Sequence, residues 1–403
     1  MGSGRAGRYG RAATRWARLL AGRRAGPGLR VFYGWDDIPG PGEPVAGGTA
    51  KLQKLAARWP NDPTGFSLLY LGTSYLPRDL RPLLWAARRR GAPVVVNVDG
   101  VAYPGWAGDR TDELNVPLRR AVTSADHVIY QSAFSKRSSD DFLGPAPGTW
   151  EILPNAVDVD RFTPGPVPQG GPVVLLGGDQ TQPYRLEVAL ETFRLVLDAH
   201  PGARLLVSGR LVSDPAPTIE RLGLGDAIDL VGRYRQSDAP DVFRRAHVLL
   251  HTKVNDPCPT TVIEALACGL PVAYAASGGT VELVSDEGGI GVPHPDGYER
   301  DEPPTPEALA AAVGEVLADR SRYAEGARRR AVERFALGRR DGGSVGYVLG
   351  RHRYPASAVA RMLVRPAVGV LVPLVQLDAT RARFHAATLR GRISGLRYGR
   401  SRC

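Results

Sequence analysis

Lysine, cysteine and long apolar runs are scarce in this sequence. It has four lysines against 48 arginines, a bias that indicates a GC-rich genome, and three cysteines, Cys258, Cys268 and Cys403. The cysteines have neither the spacing of a metal site nor a disulfide framework, which predicts a reducing, cytoplasmic location. The best candidate for a membrane span, 366–377, is shorter than the ~20 residues required. The first residues lack the apolar segment of a secretory signal, so we expect no transmembrane helix and no signal peptide.

Acidic residues are scarce at the two ends. Residues 1–30 contain eight Arg and no acid, and residues 351–403 contain eleven Arg and one Asp, so these segments carry +8 and +10. Since the whole chain carries +11, residues 31–350 carry −7. A nucleic-acid-binding protein holds its positive charge on the folded domain, so we expect no nucleic acid partner. Basic tails suit an anionic membrane surface better, at about 1 kcal/mol per basic residue held near it. Solvated arginines without a partner are an equal alternative.

Apolar runs of strand length alternate with helical patterns along the chain. A first series ends before the Pro- and Gly-rich segment 163–172, which is typical of a linker, and a second series follows it. Strands that are apolar on both faces, separated by amphipathic helices, indicate a parallel sheet covered on both sides. The first series is 29–35, 66–72, 93–100, 127–132 and 150–155, and the second is 173–178, 204–210, 228–233, 247–253, 271–275 and 290–293.

These patterns predict an α/β protein of two Rossmann-like, doubly wound domains that face a cleft. Ligands of such sheets bind beyond the carboxyl ends of the strands, often between domains. The predicted segments are a basic tail 1–28, a first domain 29–162, the linker 163–172, a second domain 173–337 and a basic extension 338–403.

Two carboxylates lie in the segment 256–271, DPCPTTVIEALACGLP. Asp256 lies in the loop after a strand, and Glu264 lies in a helix that Pro259 and two threonines begin and Gly269 ends. Carboxylates at such an edge can accept hydrogen bonds from the vicinal hydroxyls of a sugar or a ribose. Each acid taken alone also fits a solvated loop Asp or a Glu favoured by the helix dipole.

The next strand leads into a pair of glycines that enters a helix, in the sequence SGGTVE at 277–282. Paired glycines let backbone amides approach an anion at the positive end of the helix. Two consecutive loops, one with hydroxyl acceptors and one with a phosphate cradle, are what a nucleotide sugar needs.

These blocks resemble the donor site of GT-B glycosyltransferase family 4, the glycosyl transferases group 1. That family has two acids eight positions apart, a helix that ends in ACG-L-P-V, and a Gly-Gly loop followed by Glu. The segment WEILPNAVDVDRFTP, 150–164, is similar to the junction between the family's domains. The resemblance covers most of 29–335 and is weaker in the first domain. It implies a retaining enzyme that moves a hexose from a nucleotide-diphospho-sugar to a hydroxyl acceptor, such as a cell-envelope glycan or glycolipid.

The resemblance also assigns roles to residues of the second domain. It implies that Asp256 contacts the transferred hexose and that Glu264 holds the nucleotide ribose. The first acid is usually Glu, and Asp is one methylene shorter, which alters its reach. The residues matched to the phosphate-facing loop are Gly278, Gly279, Thr280 and Glu282.

The diphosphate clamp departs from the family's pattern. Where the family usually has an Arg and, five residues later, a Lys, this sequence has Gln180 and Arg185. An amide binds phosphate weakly compared with a bidentate guanidinium, and Arg210 is a candidate substitute. The departure keeps a second hypothesis open: a catalytically weak or inactive homologue that acts as a binding or membrane-surface scaffold.

Candidates in the first domain lie at the same predicted cleft. By the resemblance, Gly47 and Gly48 reach the donor phosphates, although a flexible loop ending in a helix cap fits equally well. Asp99 can orient the acceptor hydroxyl or take its proton, or can simply form a turn. The acceptor-side candidates are Tyr103 and Trp106, whose rings can stack on a sugar or pack locally, and Gln131.

The expected mechanism needs no metal or other cofactor. No Asp-x-Asp element lies at a suitable strand end, so helix N-termini and Arg are expected to stabilise the leaving diphosphate. The resemblance implies that the diphosphate itself is the base. We expect the protein in the cytoplasm or at the inner face of the membrane.

Overall fold

The structure is a computed structural model that describes residues 28–40, 43, 48–295 and 297–337. The predictions for the two basic tails, for the apolar run 366–377 and for Gly47 lie outside the described residues. No helix in the described part of the chain combines the length and the apolarity needed to cross a bilayer.

The first half contains a parallel sheet of five strands in the order in which they occur in the chain. They are β1 Val31–Phe32, β2 Leu68–Gly72, β3 Val94–Val98, β4 His127–Tyr130 and β5 Thr149–Ile152. The helices are α1 Gly48–Arg58, α2 Leu80–Arg90, α3 Pro104–Ala107, α4 Thr111–Thr123 and α5 Ala133–Leu143, with a 3-10 turn at Thr73–Tyr75 and another at Gly108–Arg110.

The second half contains a parallel sheet of six strands in the order β11-β10-β9-β6-β7-β8. They are β6 Val173–Leu176, β7 Arg204–Ser208, β8 Ile228–Gly232, β9 Val248–His251, β10 Val272–Ala276 and β11 Gly289–Pro293. The helices are α6 Pro183–Ala199, α7 Ala216–Leu222, α8 Ala239–Arg244, α9 Thr260–Ala267, α10 Thr280–Gly288, α11 Pro306–Ala318 and α12 Arg320–Arg330, with a 3-10 turn Gly225–Ala227 and a π turn Ala331–Phe335.

The strand order of the second sheet reverses direction between β6 and β9. From β6 the chain runs outward through β7 to β8, and it then returns to the other side of β6 to add β9, β10 and β11. A ligand site of an open α/β sheet lies where the order reverses, outside the carboxyl ends of the strands. The loops that follow β6 and β9 are therefore the expected ligand site of this sheet.

Alternate residues of these strands are buried on opposite faces of the second sheet. Leu175, Leu206 and Leu249 pack on one side with α8, α9 and α12, while Val174 and Leu250 pack on the other with α6 and α11. Strands covered on both faces are the physical reason for continuous apolar runs in a parallel sheet. The predicted architecture of two Rossmann-like halves is confirmed.

The junction between the halves packs on the second sheet. Val157 and Phe162 belong to the second half's core, and the amide of Val157 donates to the carbonyl of Phe335 at 2.9 Å. Arg328 of α12 donates to the carbonyl of Phe162 at 2.7 Å. Hydrogen bonds with α12 and with the π turn after it thus hold the segment that joins the two sheets.

Candidate functional site

The loops at the carboxyl ends of the two sheets meet in a crevice between the halves. The Ser132 hydroxyl, at the end of β4, donates to the carbonyl of Pro257 at 2.7 Å. The side-chain amide of Asn155 donates to the carbonyl of Cys258 at 2.9 Å. Both acceptors belong to the loop between β9 and α9, so the predicted donor loop lies against the first half.

Asp256 lies in this loop with 13% of its side chain exposed. Its carboxylate oxygen Oδ2 is 3.0 Å from Nζ of Lys253 and 4.0 Å from Nε2 of His251. Burial raises the pKa of the Asp256 carboxyl, but the positive charges of Lys253 and Arg185 with the neighbouring imidazole outweigh burial and hold that pKa below its ordinary value. The site therefore keeps an ionised carboxylate beside two cations.

Asn255, which the sequence analysis missed, sets the direction of Asp256. Its φ of 53° lies in the left-handed region, which Asn tolerates better than most residues. Its amide donates to Oγ of Ser277 at 2.9 Å, and its Nδ2 donates to the carbonyl of Gly297 at 2.9 Å. Backbone in this region costs about 1–3 kcal/mol and tends to occur at functional sites. The Asn-Asp-Pro triplet was a turn signal that marked this position.

Glu264, in α9, faces the first half. Its side chain is only 6% exposed, and its Oε1 is 3.9 Å from Nζ of Lys54 in α1. Nε2 of Gln236 donates to the same oxygen at 2.6 Å. Burial raises the pKa of Glu264, against the lowering effect of Lys54 and Gln236. The surroundings therefore lower the pKa of Asp256 and raise that of Glu264.

The glycine pair packs against the Asp256 loop. Gly278 has φ +67°, and a Cβ there would lie 2.6 Å from the carbonyl oxygen of Asp256. The Gly279 amide donates to that same carbonyl at 2.8 Å. The amide of Gly279 thus has a partner within the protein, and the pair allows two loops to approach closely. Its predicted contact with phosphate stays a prediction.

Glu282 reaches across the crevice instead of toward its own loop. Its two carboxylate oxygens accept hydrogen bonds from the amides of Ala133 and Phe134 at 2.8 and 2.9 Å. These amides begin α5 of the first half, where an anion offsets the positive end of the helix. The structure therefore gives Glu282 a partner in the other half, and its donor contact stays a prediction.

The positions of the diphosphate clamp differ in exposure. Gln180 is buried, and its Nε2 donates to the carbonyls of Gly177 and Gly178 at 3.2 and 2.7 Å. Arg185 is also buried and donates to the carbonyl of Asp179 at 2.7 Å. Arg210 is 55% exposed and lies 3.9 Å from the Asp179 carboxylate. Gln180 thus turns into its own loop, while Arg185 lies near Asp256.

Some buried polar atoms at this crevice have no hydrogen-bond partner in the described part of the chain. They include Nε of Arg185, Nε2 of His251 and Oγ1 of Thr280. Most buried polar groups in folded proteins are satisfied, so a cluster of unpaired ones is typical of a binding site. Burial also lowers the pKa of His251 to about 3, which leaves its imidazole neutral.

The first half contributes Asp99 and Gly48 to a turn beside the crevice. The Asp99 carboxylate accepts from the Thr73 hydroxyl at 2.7 Å and from the Ser74 amide and hydroxyl at 2.8 and 2.6 Å. A Cβ on Gly48 would overlap the Ser74 hydroxyl and the Tyr75 ring. These contacts fit the turn-forming interpretation of Asp99, and a role in proton transfer stays a prediction.

The acceptor-side candidates lie beside a segment of the second half that we call the strap, residues 297–305. Tyr103 is 7% exposed, its ring centroid is 5.8 Å from that of Tyr298, and its hydroxyl donates to Asp301 at 3.0 Å. Trp106 is 52% exposed. Gln131 is buried and accepts from Nδ2 of Asn155 at 3.3 Å. The structure thus engages Tyr103 and Gln131 in protein contacts and leaves Trp106 at the surface.

The strap connects the two halves beside Asp256. Asp301 also accepts from Nε2 of Gln182 at 2.8 Å, and the amide of Gly105 donates to the carbonyl of Tyr298 at 2.7 Å. A Cβ on Gly105 would lie 2.7 Å from the backbone of Arg300. Sequence reasoning missed the strap because its partners are far away along the chain.

No cluster of three or more His, Cys, Asp or Glu side chains suited to a metal ion occurs within the described ranges. The predicted independence of metal stays a prediction.

Comparison with known proteins shows which family the second half of the chain is similar to. Residues 163–333 match the family described as glycosyl transferases group 1. The chain is 30% identical over 232 residues to a D-inositol 3-phosphate glycosyltransferase of Geodermatophilus obscurus, covering 53% of this chain and 50% of the relative. It is 28% identical over 229 residues to a GDP-mannose-dependent monoacylated alpha-(1-6)-phosphatidylinositol monomannoside mannosyltransferase of Corynebacterium glutamicum, covering 51% and 58%. The chain thus spans about half the length of these curated relatives.

The fold is similar to that of Anabaena HepE, whose structure holds UDP and glucose. The TM-score is 0.54 at 20% identity, and the match covers 73% of this chain and 81% of the other. At that identity the likeness shows the fold alone, and it confirms the predicted GT-B architecture.

Proposed function

We propose that this chain, whose residues 163–333 match the glycosyl transferases group 1 and which has the GT-B fold, moves a hexose from a nucleotide-diphospho-sugar to a hydroxyl acceptor with retention of the anomeric configuration. The observation that carries the proposal is the pair of acids Asp256 and Glu264 at one crevice, one beside Lys253 and the other facing Lys54. A nucleotide sugar has hydroxyls at both ends and negative charge between them, which suits this alternation of carboxylates and cations.

The two acids are proposed to bind different parts of the donor. Asp256, whose pKa is depressed, accepts hydrogen bonds from hydroxyls of the hexose as an ionised group. Glu264, held by Gln236, accepts from the hydroxyls of the ribose. A charge-assisted hydrogen bond contributes about 1.5–3 kcal/mol, so each acid is worth a measurable share of donor affinity.

The transfer itself breaks the bond from the anomeric carbon to the diphosphate oxygen and forms a bond from that carbon to the acceptor oxygen on the same face. The acceptor's proton passes to the departing diphosphate. Arg185, buried and with Nε unpaired among the described residues, is proposed to stabilise the charge that develops there. No metal is needed in this scheme, so we expect turnover to be unchanged by a chelator such as EDTA, and complete loss that Mg²⁺ restores would contradict it.

The acceptor is proposed to be a polyol or glycolipid of the cell envelope. Two relatives are named for an inositol phosphate and for a phosphatidylinositol monomannoside, which supports this class. The proposal includes peripheral placement at the inner face of the membrane, and flotation with anionic vesicles that leaves the protein unbound would remove that part of it.

A panel of nucleotide sugars tests the donor. Thermal unfolding is followed with UDP-, GDP-, ADP- and TDP-sugars, and the correct donor at 100 times its Kd should stabilise the protein by about 2.7 kcal/mol. The matched control is Glu264→Gln, which should lose most of that stabilisation. Absence of any stabilisation in the wild-type chain would contradict the proposal.

One observation favours a second candidate, a binding homologue with weak or no turnover. The amide of Gln180 bonds to the carbonyls of its own loop, so this position adds nothing to a diphosphate clamp. Donor hydrolysis by the purified protein and its thermal protection by the donor separate the two candidates, because a homologue that has lost donor affinity would neither consume the donor nor be stabilised by it.

A further inference from the structure

Lysine is rare in this chain, and three of its four lysines line the crevice. Lys51 and Lys54 lie in α1, and Lys253 forms an ion pair with Asp256 at 3.0 Å. The fourth, Lys136, lies elsewhere, with Nζ 4.8 Å from the Trp150 ring. A chain that uses 48 arginines for its other basic positions thus places its few compact, flexible ammonium groups at one site.

Lys51 and Lys54 project from one face of α1 because residues three apart on a helix are neighbours. Nζ of Lys51 donates to Oδ1 of Asn97 at 3.0 Å. Nζ of Lys54 is 3.9 Å from Glu264, and the Lys54 side chain is 33% exposed. The pair therefore brings two ammonium groups from the first half to the acids of the second half.

Lys51 lacks a carboxylate partner of its own. It makes no ion pair with any residue between 48 and 295, and the nearby Asp99 is already bonded to Thr73 and Ser74. Burial lowers the pKa of Lys51 to about 8, which is the signature of a cation in a site that does not fully compensate its charge. An ammonium has three donors, so after the bond to Asn97 two remain for a ligand.

The opposite wall lacks a cation where the family's pattern has one. Gln180 occupies that position, and its amide bonds to its own loop. Arg185 is the guanidinium of the predicted clamp that remains buried near Asp256. A diphosphate held by Arg185 alone would leave most of its charge uncompensated.

We propose that Lys51 and Lys54 bind the diphosphate of the nucleotide-sugar donor from the first half and replace the cationic contact that Gln180 does not make. The inference rests on the proposed function and adds that the diphosphate is held across the crevice, between α1 and Arg185. Donor binding then draws on both halves of the molecule, since two other cations of the second half, Lys253 and Arg210, lie beside Asp256 and Asp179.

Full-length Lys51→Met and Lys54→Met variants test this inference by comparing ligands with and without phosphates. UDP, GDP and ADP, and the nucleosides uridine, guanosine and adenosine, are titrated calorimetrically into each protein. We expect each variant to bind the preferred diphosphate about tenfold to a hundredfold more weakly, the effect of losing a charge-assisted hydrogen bond. Nucleoside affinity should fall much less than diphosphate affinity, and Lys136→Met should bind like the wild type.

The outcomes separate the inference from the proposed function. If the wild-type chain binds a diphosphate and both Met variants bind it equally well, the inference alone is overturned. If the variants lose nucleoside and diphosphate affinity in equal measure, the lysines only support the crevice, and the inference is again overturned. If the wild type binds no diphosphate, the proposed function fails together with the inference. Lys51→Arg, which keeps the charge, should retain most diphosphate affinity and serves if Lys51→Met does not fold.

Discussion

At the scale of single residues, several ionisable groups at the crevice have pKa values shifted from their ordinary values. Asp256 is buried beside Lys253 and has a depressed pKa, whereas Glu264 is buried with a raised pKa. Burial disfavours the charged form of Lys51 and lowers its pKa to about 8. Perturbed titratable groups gathered in a crevice are typical of functional sites.

Replacing Asp256 by Asn should reduce kcat/KM for sugar transfer by about tenfold to a hundredfold, because a charge-assisted hydrogen bond to the reacting sugar contributes about 1.5–3 kcal/mol. Asp256→Glu, which supplies the acid usual in the resembling family, should retain far more activity. Steady-state kinetics with the donor found by thermal shift measures both. Equal activity of Asp256→Asn and the wild type would remove Asp256 from the mechanism.

The depressed pKa of Asp256 also has a consequence for stability. A carboxyl with a lower pKa in the folded than in the unfolded state contributes stability above its unfolded pKa, and the contribution is lost as pH falls through the folded pKa. The wild type should therefore lose stability toward acid more steeply than Asp256→Asn. Denaturant unfolding between pH 6 and about pH 3 measures the difference; parallel curves would contradict it.

Lys51 should link donor binding to proton uptake. Its folded pKa of about 8 lies below the ordinary lysine value, and a bound diphosphate would raise it again. Above pH 8, binding should therefore draw protons from the buffer. Calorimetry in two buffers with different ionisation enthalpies measures the uptake, and Lys51→Met should abolish it. Equal uptake in this variant would assign the protons to another group.

At the scale of elements, the sequence predicts the strands, because their apolar pattern recurs along the chain. It does not predict features that depend on contacts between distant residues. The strands 173–176 and 204–208 were predictable because both faces of the sheet demand apolar residues. The Gly-Gly loop was expected to cradle phosphate, yet its tight packing on the Asp256 backbone needs glycine for a second reason. That reason depends on how two loops meet in space, which local patterns do not encode.

The strap shows the same limit. Its Asp301 meets Tyr103 at a separation of 198 residues along the chain, and no turn or periodicity signal marks such a contact. Sequence reasoning allowed Tyr103 either to stack on an acceptor sugar or to pack locally, and the structure places its ring against Tyr298. An aromatic residue in a loop suits either role, so residue type alone does not distinguish stacking on a sugar from packing within the protein.

Tyr298→Ala should destabilise the contact between the halves. The ring centroid of Tyr298 lies 5.8, 6.0 and 5.0 Å from those of Tyr103, Phe134 and Phe142, and aromatic pairs contribute about 0.5–1.5 kcal/mol each beyond burial. We expect a loss of roughly 1–3 kcal/mol in the free energy of unfolding. Trp106→Ala, at an exposed aromatic nearby, should change it by less than about 0.5 kcal/mol. Equal effects would show that the strap packs no more firmly than the surface.

At the scale of the whole molecule, two sheets fold on separate cores and are joined by polar contacts between loops and by the ring of Tyr298, which packs on aromatic rings of the first half. The Ser132 hydroxyl, the Asn155 amide and the Glu282 carboxylate each cross the crevice. Polar contacts of this kind are weaker than a shared apolar core, which suits a crevice that must admit and release a ligand.

Removal of the Glu282 carboxylate should weaken the contact between the halves at the start of α5. In Glu282→Ala the amides of Ala133 and Phe134 lose their acceptors, so hydrogen exchange of the peptide that begins α5 should accelerate. The cores of the two sheets should exchange as in the wild type, because the amides that lose their acceptors lie at the start of α5. Unchanged exchange at the start of α5 would contradict the role of Glu282 as a link between the halves.

A crystal structure of the full chain with the nucleotide sugar that stabilises it tests the central claim most directly. The account predicts hexose hydroxyls on Asp256, ribose hydroxyls on Glu264 and the diphosphate between Arg185 and the lysines of α1. A donor bound outside this crevice, or one that leaves both carboxylates without a sugar hydroxyl, would contradict it.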